Sequence, residues 1–410
     1  MDIDGERLLH RLRTLATIGR DPAGGISRPG FGDATAQANR YVQKAAEQHN
    51  LCTAIDAGGN LLIRRPTSQA QQKRRTLLMG SHLDTVYNGG WLDGAYGVLS
   101  ALEVLATIAE HDVDLGFDLT VVAFANEEGA DFPQPFWGSM VLSGQRDALP
   151  AQPVDYQGNP LASALARTGG DINDLVSAAW KPDALLGYLE LHIEQGPVLE
   201  NSGTPIGVVD AINGRFVLQV DLHGTAAHAG TMPMEGRADA LVAAAHLILA
   251  VRQLPREGRC QVATVGHLEV LPNSANTIAG TARLTVDLRD ADVDRLRQAH
   301  RDVCDEAQTL ADRLGVQARC EQIIATRPAA TAPSYQAAIT ESADALGLAH
   351  TTLSSGAGHD AQIMAAVTPI GMIFVPSIGG ASHVPQEDTA VGDLLAGARV
   401  LLSSVLRLTT

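Results

Sequence analysis

The sequence predicts an α/β protein: a mostly parallel sheet with helices on both faces, interrupted by a module of β-α-β-β-α-β order. Three observations carry that reading. Strands with a continuous apolar run, such as FDLTVVAFANEE (117–128), alternate with helical segments towards both ends of the chain. A strand of that kind is covered on both faces. In the middle, RFVLQVDLHG (215–224) instead alternates apolar and polar residues with period two, as in a strand covered on one face. The chain also has 410 residues, long for a single domain.

Taken in order, residues 6–19 and QANRYVQKAAEQHN (37–50) read as helices, NLLIRR (60–65) and TLLMGSHL (76–83) as strands, and VLSALEVLATIAEH (98–111) as a helix. The strand at 117–128 follows, then LGYLELHIEQG (186–196). The inserted module comprises the strand at 215–224, helix 237–254, strands 260–271 and 280–290, helix 290–315 and strand 316–325. We place it at 212–328, with 1–211 and 329–410 forming the host domain. The chain closes on helix 361–367, strand GMIFVPSI (371–378) and helix 390–408.

Apolar residues make up 45% of the chain, enough for packed cores, and no low-complexity stretch interrupts them. The net charge of −16 argues against nucleic acid or an anionic membrane as partner. No apolar run approaches the roughly 20 residues of a membrane span, and the charged N-terminus does not resemble a signal peptide. The expectation is a soluble, cytoplasmic protein. Cys52, Cys260, Cys304 and Cys320 form no CxxC pair, so four isolated reduced core thiols are expected.

The chemistry gathers at predicted strand ends. GSHLDTVYNGGWLDG (80–94) places His82 at the end of an apolar strand and Asp84 two residues on, on the same face of an extended chain and suited to orienting the imidazole. Asp93 lies in the glycine loop before the next helix. Glu127 and Glu128 close another strand; one can ligate a metal while the other takes a proton from water. His192 ends LELHIEQG, and His383 lies just past strand 371–378. In open α/β sheets, strand ends converge on the ligand crevice. Two carboxylates, three histidines and a spare glutamate suit two divalent ions sharing a bridging aspartate. The mixed nitrogen and oxygen donors do not choose among zinc, manganese, cobalt and nickel. A surface turn accounts for each of these stretches taken alone.

A second set suits a substrate. Gln195 follows His192 by three residues. Arg289, at a strand end, has the fork to hold a carboxylate, and His228 and Asn276 can donate to an oxyanion. SSGAGHD (354–360) is a glycine-rich loop before a helix, with backbone N–H groups suited to an anion. Spacing alone equally fits solvated loop residues.

GSHLDTVYNGGWLDG, NEEGADF, ELHIEQGPVLE, AHAGTMPM, ANTIAG, SGAGHDAQ and FVPSIGGASHVP together resemble the hydantoinase/carbamoylase family of dinuclear metal amidohydrolases, within the aminoacylase-type metallopeptidases. The resemblance implies a metallopeptidase-like catalytic domain with an inserted lid and dimerisation domain. It makes His82, Asp93, Glu128, His192 and His383 the ligands of two metal ions, with Asp93 bridging. Glu127 becomes the general base and acid, and Asp84 the support of His82. Gln195, His228, Asn276, Arg289 and the Gly358 backbone become substrate contacts, with His228 reaching a partner subunit in a homodimer. The implied reaction hydrolyses the ureido C–N bond of an N-carbamoyl-L-amino acid to the amino acid, ammonia and carbon dioxide. Allantoate is the nearest rival substrate, and an aminoacylase or dipeptidase a more distant one. Two departures bear on substrate choice: Asp131 stands where the family usually has arginine, and TMPM replaces TTPM.

Overall fold

The strand Thr76–His82 is buried along all seven residues, with the apolar run Leu77, Leu78 and Met79 at its centre. It pairs in parallel with Asp118–Phe124 on one side, His82 opposite Phe124, and with Leu185–Ile193 on the other. Leu185–Ile193 pairs in parallel with Ile370–Val375, Phe374 opposite His192. These four strands form the centre of the main sheet. Short antiparallel strands flank them: Leu61–Arg64 and Cys52–Ile55 beyond Asp118–Phe124, and Ile206–Ile212 beyond Ile370–Val375. The computed structural model describes residues 1–66 and 74–408.

The helix Ala95–Glu110 is apolar nearly all round and is buried from Ala95 to Ile108. It packs on the central strands. The parallel register has one decisive effect. It brings the ends of Thr76–His82, Asp118–Phe124, Leu185–Ile193 and Ile370–Val375 level with one another, so the loops that follow them share one rim of the sheet.

The chain falls into two units, one of Met1–Asp210, Ala330–Leu353 and His359–Thr410, the other of Ala211–Ala329 and Ser354–Gly358. The second unit contains a four-stranded antiparallel sheet in the order Gln317–Thr326, Gly214–His223, Thr281–Asp290, Val262–Leu271. Alternation along Thr281–Asp290 buries Ala282, Leu284, Val286 and Leu288 completely. The helices Ala240–Gln253 and Val293–Leu314 cover that face, each started by an aspartate side chain, Asp239 and Asp292, that accepts backbone N–H bonds. In the first unit, Thr331 donates its N–H to Asp210 (2.9 Å) and its hydroxyl to the Val209 carbonyl (2.7 Å). These bonds staple the chain where it leaves and rejoins that unit.

The α/β class with a mostly parallel sheet and the β-α-β-β-α-β order are both present. Two expectations need correction. The strand read as 117–128 ends at Phe124, because Asn126 adopts a left-handed conformation (φ 53°) and turns the chain. Glu127 and Glu128 therefore sit on a loop. The cysteines are not four separate thiols: Cys304 and Cys320 form a disulfide, while Cys52 is exposed and Cys260 buried. The helix Val293–Leu314 packs back on the strand that follows it, which places these two residues 5.7 Å apart between Cα atoms, a proximity that local spacing does not reveal.

Gly80 sets a stability test. Its φ is +147°, and a Cβ there would lie 1.8 Å from the Val122 carbonyl oxygen. Gly80→Ala should destabilise the protein by about 2 kcal/mol or more, read as a lowered urea midpoint; an unchanged midpoint would contradict the close strand approach.

Candidate metal centre

Asp93 is buried in the turn that opens the helix Ala95–Glu110, and its two oxygens face different partners. Oδ1 lies 3.0 Å from His192 Nε2 and 3.4 Å from His82 Nε2. Oδ2 lies 3.1 Å from His383 Nε2, which is 3.6 Å from Glu128 Oε1. Asp93, His82 and His192 thus form one set of donors, and Asp93, Glu128 and His383 a second. In each set the donor atoms lie within 4.8 Å of one another. Each histidine stands at or beyond a strand end, where the parallel register aligns them.

The tautomers are fixed from behind. His82 Nδ1 lies 2.9 Å from the Asp84 carbonyl, and His192 Nδ1 lies 2.8 Å from the Ile193 carbonyl. A carbonyl only accepts, so each Nδ1 carries a proton and each Nε2 faces Asp93, that of His192 also lying 3.1 Å from the Gly94 N–H. A lone pair aimed at a carboxylate is unfavourable unless a proton or a metal cation lies between. Glu128 Oε1 is buried and accepts no hydrogen bond. Among the described residues no lysine or arginine forms an ion pair with Asp93, Glu127 or Glu128. Buried carboxylates without basic partners and imidazoles with inward lone pairs fit divalent cations with nitrogen and oxygen ligands.

Without a cation the same carboxylates favour a proton on the imidazoles. Burial pushes Glu127 well above the usual carboxylate range, and the charge of Glu128 adds to it. Burial also raises Glu128, with Asp93 beside it. Burial works against a charged His82, but Glu127, Asp93 and Asp84 outweigh it and hold its pKa well above the ordinary imidazole value. His383 is raised to about 9, chiefly by its contact with Asp93.

Several residues stand differently from the sequence reading. Asp84 supports His82 through its backbone carbonyl; its carboxylate is 3.9 Å from Nδ1. That carboxylate instead accepts the N–H groups of Glu127 (3.2 Å) and Glu128 (3.1 Å), which fixes the loop carrying both glutamates. Glu127 Oε2 lies 3.7 Å from His82 Nε2, beside the first donor set. Gln195 donates from its side chain to Asp93 Oδ2 at 2.8 Å.

In the second unit, His228 and Asn276 are exposed neighbours at the antiparallel pair of Ala227–His228 and Thr277–Ile278, where the Ala229 N–H donates to the Asn276 carbonyl (2.8 Å). Arg289 is engaged: it donates to Asp287 (3.0 and 3.2 Å) and to the Gly356 carbonyl (2.7 Å). Gly358 is half-buried just before the helix Asp360–Met364. Sequence reasoning missed three buried groups around the centre. Glu190 accepts from the Ser81 hydroxyl (2.7 Å) and the Ala361 N–H (3.0 Å). The ring of His359 packs edge-on against His192, with centroids 4.7 Å apart. Glu387, on the loop after His383, accepts the N–H groups of Leu92 and Asp93. Of these, only Glu190 had a signal available, as an acidic residue inside an apolar strand.

Residues 78–407 match the model of the peptidase family M20/M25/M40. The chain is 37% identical to an N-carbamoyl-L-amino acid amidohydrolase of Geobacillus stearothermophilus over 99% of both chains. It is 35% identical to an allantoate amidohydrolase of Escherichia coli (strain K12) over 94% of both. A crystal structure of a hydantoinase/carbamoylase family amidase from Burkholderia multivorans superposes with a TM-score of 0.91 at 34% identity, covering 99% of this chain and 98% of that one. Family match, near full-length relatives and fold agree: the chain belongs to the M20/M25/M40 peptidase family and, within it, to the hydantoinase/carbamoylase amidohydrolases.

Proposed function

We propose that this enzyme hydrolyses the ureido C–N bond of an N-carbamoyl-L-amino acid, giving the amino acid, ammonia and carbon dioxide. One observation carries the reading: a single buried carboxylate, Asp93, turns one oxygen to His82 and His192 and the other towards His383 and Glu128. That arrangement suits two divalent cations, of zinc, manganese, cobalt or nickel type, bridged by Asp93. The cations would supply Lewis-acid polarisation of the ureido carbonyl, a poor electrophile because two nitrogens donate into it, and would acidify the attacking water.

Glu127 is the general base and acid. It ligates neither set through Asp93, its pKa is raised by burial, and it lies beside His82, so it suits taking a proton from water and handing it to the leaving nitrogen. Asp84 holds its backbone in place. Gln195 orients Asp93 and contacts substrate. On the second unit, His228, Asn276 and the Gly358 backbone supply donors for an oxyanion or anion, and Arg289 supplies a guanidinium for the substrate carboxylate once that group replaces a present acceptor. We assign lid and dimerisation roles to that unit. Exposed apolar residues along it, Leu249, Leu271 and Ile323 among them, support self-association. Among the described residues no helix is long and apolar enough to cross a membrane.

Relatives named for N-carbamoyl-L-amino acids and for allantoate match this chain almost equally well, so allantoate, also a ureido acid, is the second reading. A panel of N-carbamoyl-L-amino acids, their D-enantiomers and allantoate, assayed with metal-reconstituted protein, should show turnover of the first class above the others. Preferential allantoate cleavage would move the assignment, and N-acetyl cleavage far above any ureido compound would refute it. Exhaustive chelation should abolish activity, with recovery on adding a divalent metal; full activity after chelation contradicts the metal reading. Glu127→Gln should lose at least about 100-fold in kcat while its metal content stays near normal; retained turnover removes Glu127 from the mechanism. Arg289→Ala should raise KM for carboxylate substrates more than it lowers kcat, and an unchanged KM would exclude it from substrate binding.

A further inference from the structure

The helix Ala95–Glu110 begins at Gly94, which has no side chain to cap it. The N–H groups of Leu92 and Asp93, just ahead of that helix, have no acceptor within their own turn. Both point at a residue 295 positions distant from Leu92: Glu387 Oε1 accepts from Leu92 at 2.9 Å and from Asp93 at 3.0 Å. The other oxygen, Oε2, lies 2.9 Å from the Ser382 hydroxyl. That hydroxyl is also 3.3 Å from Asp93 Oδ2 and takes a bond from the Gln195 side chain at 3.1 Å. Glu387 is 1% exposed and follows His383 by four residues. One carboxylate thus ties the backbone of the bridging aspartate to the loop that carries the histidine of the second donor set.

The seat is built for it. A Cβ at Gly90 would fall 2.0 Å from the Glu387 carboxyl, so only glycine leaves room at that position. Among the described residues no lysine or arginine pairs with Glu387, and its carboxylate bonds backbone N–H groups and the Ser382 hydroxyl rather than a donor atom of either set.

We propose that Glu387 is a positioning residue for the metal centre, which holds Asp93 and His383 in register so that the two oxygens of Asp93 serve the two donor sets together. The inference rests on the metal reading above and goes beyond it, because Glu387 is itself no ligand. Hydrogen-bonded residues behind metal ligands typically set affinity by about 10–100-fold.

The test reads metal binding rather than turnover. Zinc affinity of the full chain is measured in chelator-buffered titrations for wild type and for Glu387→Ala, Glu387→Gln, Gly90→Ala and Ser382→Ala, with thermal melts of the metal-free proteins alongside. Glu387→Ala and Gly90→Ala should weaken binding by about 10–100-fold. Glu387→Gln keeps an oxygen for both N–H groups and should recover most of that loss. Ser382→Ala should fall between. Unchanged affinity in Glu387→Ala and Gly90→Ala overturns the proposal, as does a loss in Glu387→Gln equal to that in Glu387→Ala. Should Glu387→Ala not fold, Ser382→Ala decides: weaker binding supports the proposal, and wild-type affinity overturns it. Wild-type protein that binds none of zinc, manganese, cobalt and nickel would instead refute the metal reading and this inference with it, an outcome distinct from normal wild-type binding with indifferent variants.

Discussion

The centre depends on one electrostatic conflict. Two imidazoles are locked by backbone carbonyls so that their Nε2 atoms face a carboxylate, all of it out of water. At such distances a proton or a metal cation must lie between the imidazole nitrogens and the carboxylate. The surrounding carboxylates deepen the deficit rather than relieve it. Fold and chemistry meet here: the parallel sheet brings the donors together, and their mutual repulsion makes cation binding a condition of the site's full stability.

The parts of the molecule legible in the sequence share a physical cause. Thr76–His82 and Ile370–Val375 carry continuous apolar runs because both faces are covered, so their ends, and His82 and His383 near them, could be located without coordinates. Asp84 was legible as a supporting residue but not in its manner of support, because a backbone carbonyl leaves no trace in residue type. Glu387 was invisible for a related reason: its partners are amide groups nearly three hundred residues away. The flanking strands Cys52–Ile55 and Ile206–Ile212 escaped notice because short antiparallel edges carry little periodicity. The Cys304–Cys320 bond escaped because it arises from the packing of a helix on the next strand.

Asp131 illustrates how a local departure finds a local partner. The acid that departs from the expected family pattern accepts the hydroxyl hydrogen bond of Tyr87, pushing the phenol up to about 12. Tyr87 lies three residues beyond Asp84, and Asp131 three beyond Glu128. Asp131 therefore links the two loops that carry the donors.

The staple formed by Thr331 on Asp210 and Val209 has an evolutionary corollary. An insertion whose two ends are tied side by side adds almost no loop-closure penalty to its host, whatever its length. Ancestral chains could gain, exchange or shed such a module by recombination at that junction while the strands bearing His82, His192 and His383 stayed as they were.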